Sequence, residues 1–183
     1  EITSGIASGG WVVIDGYQFS ENYLRSVRCS GCRVLAIDDT HRLSYYDADI
    51  VLNQNPGFTP DGYRCPTDAL LLLGPQYTIL RREFRDFRPK STVGSVRNIL
   101  ITMGGSDPNK LSSVAIKAVK RLDHPQILIR VILGPANPWC DEITTLVSGS
   151  RNIEIHVDPG NFTQMMAETD VAITAGGSTC WEL

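Results

Sequence analysis

The sequence has no apolar run long enough to span a bilayer, and no amino-terminal stretch with the charge and hydrophobic core of a secretory signal. A membrane-spanning segment is therefore not expected. Long basic runs are also missing. Seventeen basic residues stand against twenty acidic ones, for a net charge of −3, so the electrostatic footprint of a nucleic-acid binder is absent and no nucleic-acid partner is expected. Histidine is scarce, with His41, His124 and His156 scattered along the chain. Cysteine is sparse and odd in number, five in all. Cys29-Ser-Gly-Cys32 supplies one close pair, but a zinc site needs two more ligands, and neither the other cysteines nor the histidines form a second pair at close spacing. No metal and no cofactor is expected. A thioredoxin-type C-x-x-C opens a helix, whereas this one follows a helix and precedes a strand, which fits a structural turn with two free thiols. An odd count without a secretory signal suits reduced thiols, and a cytoplasmic location is expected. No methionine opens the chain, and it stops one turn into an expected helix, so both ends read as cut from a longer protein.

What is present is an ordinary globular mixture, 42% apolar and 20% charged, in 183 residues. That length holds one large domain or two small ones. The central stretch is Asn98 to Asn109, N-I-L-I-T-M-G-G-S-D-P-N. Ile99 to Met103 is a short apolar run with β-branched residues, suited to a buried strand. Gly104 and Gly105 break it, because glycine permits a sharp turn and close backbone approach. Ser106 or Asp107 can cap the helix that follows, with Pro108 in its first turn. That helix is expected over 109–121, with Leu111, Val114, Ala115, Ala118 and Val119 facing inward. A strand, glycine turn and helix in this order expose backbone N–H groups suited to an anion such as phosphate. The same turn also serves any parallel sheet as packing alone. A second copy shifts the balance. Val171 to Thr174 is another apolar strand, followed by Ala175, Gly176, Gly177, Ser178 and Thr179. Two such turns on one sheet edge are harder to explain as packing than one.

The rest of the chain alternates in the same way. Trp11 to Ile14, Arg33 to Ile37, Ile50 to Leu52 and Leu70 to Leu73 read as strands, and Ser20 caps a helix through Arg28. Ile127 to Leu133 and Ile153 to Val157 are further strands, with helices over 141–147 and from Asn161 or Thr163 to Glu168. This pattern predicts an α/β protein of two doubly wound parallel sheets. Arg81 to Arg88 is mixed in sign and reads as a solvated helix end or linker. Arg85 to Arg97, holding Pro89 and Gly94, reads as an interdomain linker. The domains are then 1–94 and 95–183.

Several acids fall just past strand ends: Asp15, Asp38, Asp39 and Asp107. Each can equally cap the next turn. Asp15 with Tyr17 is the preferred pair, since a carboxylate can orient a water or a phenol, and a phenol can donate to an oxygen on which charge develops. Glu182 lies one helical turn beyond Gly177-Ser178. A carboxylate there can accept both hydrogen bonds of a ribose 2′,3′-diol, with phosphates on the N–H groups of Gly177 to Thr179. Its plainer role is to complement a helix dipole. Met165 and Met166 read as core or pocket lining.

In order, the chain carries D-G-Y at 15–17, I-D-D at 37–39, D-I-V-L-N-Q-N at 49–55, L-L-G-P-Q-Y at 72–77, L-R-R-E-F at 80–84, M-G-G-S-D-P at 103–108 and A-G-G-S-T-C-W-E at 175–182. This series resembles the UDP-sugar hydrolases of pseudaminic acid biosynthesis and the SpsG-type proteins of spore-coat polysaccharide. The resemblance implies a GT-B-like architecture of two Rossmann-like domains, here both incomplete, with UDP held by the second. It maps the phosphate loop onto Gly176, Gly177, Ser178 and Thr179, the ribose acid onto Glu182, and the sugar-phosphate junction onto Gly104, Gly105 and Ser106. It implicates Tyr17 in the site, and a water-driven loss of UDP from a 2,4-diacetamido-trideoxy sugar without an essential metal. The family's general base is a histidine in a G-x-G-H-x-x-R loop, which this sequence does not contain. The expectation is a retained fold and part of a UDP-sugar site without hydrolase activity. A GT-B glycosyltransferase with a UDP-sugar donor and a non-catalytic nucleotide-sugar-binding protein are the alternatives.

Overall fold

The computed structural model describes residues 5–85 and 94–183, and it divides into two compact units, Glu1–Ile79 and Leu80–Leu183. The first is built on β1 (Trp11–Asp15), β2 (Arg33–Ile37), β3 (Ile50–Asn53) and β4 (Leu70–Leu73), all parallel and ordered β1-β2-β3-β4. Helix α1 (Glu21–Cys29) joins β1 to β2. Ser20 is its N-cap, its hydroxyl accepting from the Tyr23 N–H at 3.4 Å, and Leu24 and Val27 form the buried face. The next two crossovers hold no α-helix, only a 3-10 turn over Pro60–Gly62. Their aromatic side chains do the covering instead. Tyr46 and Tyr63 are buried with Val34, Ala36 and Val51, and Phe58 packs against them.

The second unit holds α2 (Arg82–Arg85), β5 (Asn98–Thr102), α3 (Leu111–Lys120), β6 (Leu128–Leu133), α4 (Cys140–Val147), β7 (Ile153–Val157), α5 (Phe162–Ala167), β8 (Val171–Thr174) and α6 (Thr179–Glu182). Its sheet is parallel and ordered β7-β6-β5-β8. The chain lays β5, β6 and β7 outward in one direction, then returns to place β8 on the other side of β5. The order of strands therefore reverses between β5 and β8. Ile101, Val131, Leu133, Ile116 and Ile143 are fully buried on one face, each such side chain contributing roughly 1.5–3 kcal/mol. Leu100, Ile132, Met165, Met166 and Phe84 fill the other. The two methionines are core.

Both halves are thus α/β parallel sheets of the Rossmann-like kind. Three details differ from the sequence reading. The division falls after Ile79, not after residue 94, because Phe84 of α2 is buried against Leu100, Ile132 and the two methionines of the second core. Residues 86–93 of the expected linker lie outside the described residues. Helix α3 starts at Leu111, after a turn in which Lys110 N–H donates to Asp107 O and Lys110 takes a left-handed conformation, φ 56°. Its inward face is Ser112, Ala115, Ile116 and Val119, while Leu111, Val114 and Ala118 are exposed. The later start turns the helix so that 112, 115/116 and 119 form the i, i+3/i+4, i+7 stripe.

Candidate functional site

The switch in strand order puts both glycine loops at one place. Thr102, at the end of β5, pairs with Thr174, at the end of β8. The Gly104–Ser106 and Gly176–Thr179 loops therefore leave neighbouring parallel strands at the same carboxyl edge. Crevices for ligands form at such a reversal because the loops on its two sides turn away from one another. Gly104 has φ +78°, a left-handed conformation that strains any other residue. A Cβ built on Gly104, Gly105, Gly176 or Gly177 meets no atom within 4 Å, so open space adjoins both loops. Gly177 N–H donates to Ala175 O at 2.8 Å, which tightens the second loop.

The first loop is braced from two sides. Gly134, in the turn after β6, lies so close that a Cβ there would come 2.3–2.6 Å from the Gly105 backbone. Asp107 is the other brace, only 2% exposed, accepting from Leu111 N–H at 2.7 Å and Ser112 N–H at 3.0 Å. It does the work of an N-cap from three positions before Lys110. Trp139 Nε1–H donates to Asp107 O at 3.1 Å and fixes the turn from α4. Ser106 and Ser178 make no cap; Ser178 occupies the N-cap position of α6 without a side-chain bond to it.

Glu182 has a partner that the sequence reading missed. Its carboxylate, with the side chain 8% exposed, accepts from Arg81 Nε at 2.8 Å and Arg81 Nη2 at 3.3 Å. Arg81 lies over the Phe84 ring at 4.7 Å and bonds Glu83 at 2.9 Å. Its pKa is raised further by the hydrogen bond and charge of Glu182. The stretch expected as a solvated helix end or linker holds a short helix and is exposed at Arg81, Arg82 and Glu83, but Arg81 is ion-paired and Phe84 is a core residue. The charge pattern hid this, because Arg81 and Glu182 are far apart in sequence.

At the carboxyl edge of the first sheet, Tyr17 is 64% exposed, and its hydroxyl donates to Asp39 Oδ2 at 2.6 Å. The preferred pairing with Asp15 is replaced by one across the edge, since Asp39 follows β2, the strand beside β1. The Asp39 carboxylate raises the phenol pKa, so Tyr17 keeps its proton and remains a donor. Arg42 Nη2 holds the Tyr17 loop by bonds to Gly16 O and Phe19 O. Asp38 is structural. It accepts from His41 N–H at 3.0 Å and from the Tyr63 hydroxyl at 2.9 Å, and Tyr63 in turn accepts from Asn53 Nδ2 at 2.8 Å. The His41 ring packs edge-on to Tyr63 with centroids 4.5 Å apart. Cys29 and Cys32 are both free thiols, the second buried in the first core.

A cleft of about 310 Å³ lies at the opposite, amino-terminal edge of the second sheet, floored by Ile99, Ile129 and Ile153. Gly149 and Asp123 are among its lining residues, but no glycine doublet is.

No protein-family model matches the chain. Sequence relatives do. SpsG of Bacillus subtilis, a spore coat polysaccharide biosynthesis protein, is 24% identical over 152 residues, covering 82% of this chain and 45% of its own. The UDP-2,4-diacetamido-2,4,6-trideoxy-beta-L-altropyranose hydrolase of Campylobacter jejuni is 24% identical over 170 residues, covering 91% of this chain and 60% of its own. This chain is similar to both along most of its length. An uncharacterized protein of Methanocaldococcus jannaschii, MJ1062, is also a relative, 30% identical over 181 residues, 93% of this chain and 37% of its own. The chain thus spans between 37% and 60% of the length of these relatives. Among solved structures, MurG of Acinetobacter baumannii aligns with 92% of this chain and 47% of its own, at 16% identity and TM-score 0.48. Among the described residues, no helix is long and apolar enough to cross a membrane.

Proposed function

We propose that the second unit binds the UDP moiety of a nucleotide sugar at the carboxyl edge of β5 and β8, in an enzyme of polysaccharide biosynthesis that releases UDP from a 2,4-diacetamido-trideoxy sugar. The observation that carries this reading is the pairing of Thr102 with Thr174, which sets two glycine loops side by side where strand order reverses. The loop Gly176, Gly177, Ser178, Thr179 takes the diphosphate through backbone N–H groups, acting as a nest of oriented dipoles. Glu182 takes the ribose hydroxyls. Gly104, Gly105 and Ser106 face the sugar-phosphate junction, where the absence of side chains lets a bulky ligand approach the backbone. In the first unit the resemblance assigns a catalytic role to Tyr17, which keeps its proton through the bond to Asp39, with Asp15 as a second carboxylate on the same edge of that sheet. The relatives' names favour hydrolysis over transfer, since one of them is a hydrolase of such a sugar.

This sequence lacks the family's histidine loop, so no residue here stands as general base. The 183-residue chain is therefore proposed to bind the nucleotide without turning the sugar over. The test is calorimetry of the chain with UDP, UMP and ADP, followed by incubation with the UDP-sugar and assay for free UDP. Binding with a preference for UDP and no release is expected. Equal affinity for ADP would overturn the uridine assignment, and release at the rate of a full-length relative would overturn the claim of inactivity.

A further inference from the structure

Arg81 lies in L-R-R-E-F, a motif with no role in the proposed function, and its guanidinium is the only partner that Glu182 has among the described residues. The geometry is a fork, with Nε on one carboxylate oxygen and Nη2 on the other. A carboxylate has about four acceptor positions, and a bidentate guanidinium takes two. The other two lie one on each oxygen, which is the spacing at which neighbouring hydroxyls of a cis-diol can donate. A carboxylate held this far from solvent with half its acceptor capacity unmet lacks the hydrogen bonds that compensate burial.

Charge narrows the ligand further. Arg81 carries one positive charge, while Glu182 and Glu83 carry two negative ones, so the cluster is net negative. A phosphate is repelled there, and a neutral donor pair is accepted. Arg81 itself is held in place. Its guanidinium lies over Phe84, a residue fixed in the second core, with Phe162 at 5.7 Å. The carboxylate is thereby set by a chain of contacts that begins in packed hydrophobic structure, which lowers the ordering cost of binding.

We infer that Arg81 is a positioning residue for nucleotide recognition, holding the Glu182 carboxylate aimed so that it accepts from a vicinal diol, and so making the site select ribose over deoxyribose. This rests on the UDP reading. It adds a residue, a mechanism and a discrimination.

The test is calorimetry of the 183-residue chain and its Arg81→Ala variant with UDP and with 2′-deoxy-UDP. The parent is expected to prefer UDP by about tenfold or more, the range for one hydrogen bond to a charged group. Arg81→Ala is expected to bring the two affinities within about twofold, while binding of inorganic pyrophosphate is unchanged. An Arg81→Ala chain that keeps the parent's preference overturns the inference. A parent that binds UDP and 2′-deoxy-UDP alike overturns it too, yet leaves UDP binding standing. A parent that binds neither removes both readings. Arg81→Lys keeps the charge but not the fork, and serves if the alanine variant does not fold. An intermediate preference is expected, and the full parental preference overturns the inference.

Discussion

The two sheets are built from strands of similar length and burial, yet their carboxyl edges differ. In the first, strand order runs β1-β2-β3-β4 without reversal, and the edge is closed by side chains. Tyr63 bonds to both Asp38 and Asn53, Tyr17 bonds to Asp39, and His41 packs against Tyr63. In the second, order reverses between β5 and β8, and the edge there is formed by glycine backbone with open space beside it. A sheet that grows in one direction can interlock its loops through polar and aromatic side chains. A sheet that reverses separates two loops, and the gap is useful if it is left unfilled. The difference lies in which residues follow the strands, acids and aromatics in one case and glycine doublets in the other.

The sharpest way to break the contrast is Gly134→Ala. The new methyl would meet the Gly105 backbone at 2.3–2.6 Å, so either the Gly104–Ser106 loop or the turn after β6 must move. Backbone cannot yield as a flexible side chain does. A loss of about 3 kcal/mol is expected, the upper end for overpacking, read as a lower denaturant midpoint for the second unit and weaker UDP binding. An unchanged midpoint would mean the brace is not tight. Next is Glu182→Ala, which removes the acceptor and leaves Arg81 with only Glu83. UDP affinity is expected to fall by about 2 kcal/mol, the typical loss of a hydrogen bond to a charged group. An affinity equal to the parent's would remove Glu182 from the site.

For the first edge the matching substitution is Tyr63→Phe. It deletes the hydroxyl that links Asp38 to Asn53 and leaves a fully buried amide nitrogen without its acceptor. A stability loss of about 1.5 kcal/mol is expected, with UDP affinity unchanged. A drop in UDP affinity would mean that closing the first edge serves ligand binding as well as folding.

How much of this the sequence carried depends on the range of the interaction. The strands were legible because runs such as Val34–Ile37 and Ile99–Thr102 are apolar and bounded by turn residues. The cap of α1 was legible because Ser20 acts three residues away. The paired glycine loops could be read as a pattern, but their adjacency depends on β8 lying beside β5, and strand order is not written locally. The inward stripe of α3 was misread because the helix starts two positions later than its proline suggested. Long-range side-chain pairs escaped altogether. Tyr17 finds Asp39 through neighbouring strands, and Arg81 finds Glu182 only after the entire second sheet is assembled. Nothing in L-R-R-E-F or W-E announces a partner.

The two halves also answer to opposite ends of the pH scale. In the first, burial pushes the Tyr46 and Tyr63 phenols well above their ordinary value. Such a group loses its proton in the unfolded chain first. Above about pH 10 the unfolded state therefore binds fewer protons than the folded one, and stability falls as pH rises. In the second, the Asp170 carboxylate accepts from the Arg97 and Asn98 N–H groups at 2.8 Å each, and these bonds hold its pKa below the ordinary carboxylate value. Its contribution is present above about pH 4 and disappears as pH drops through the lowered folded value. Tryptophan fluorescence can follow each half, with Trp11 reporting the first and Trp139 with Trp181 the second. Trp11→Phe and the Trp139→Phe, Trp181→Phe pair separate the signals. Denaturant midpoints are expected to fall above about pH 10 for the first half and in acid for the second. Asp170→Asn keeps an oxygen for the two amides but cannot titrate, and it is expected to flatten the acid limb. An acid limb that survives this change would place the sensitivity outside Asp170.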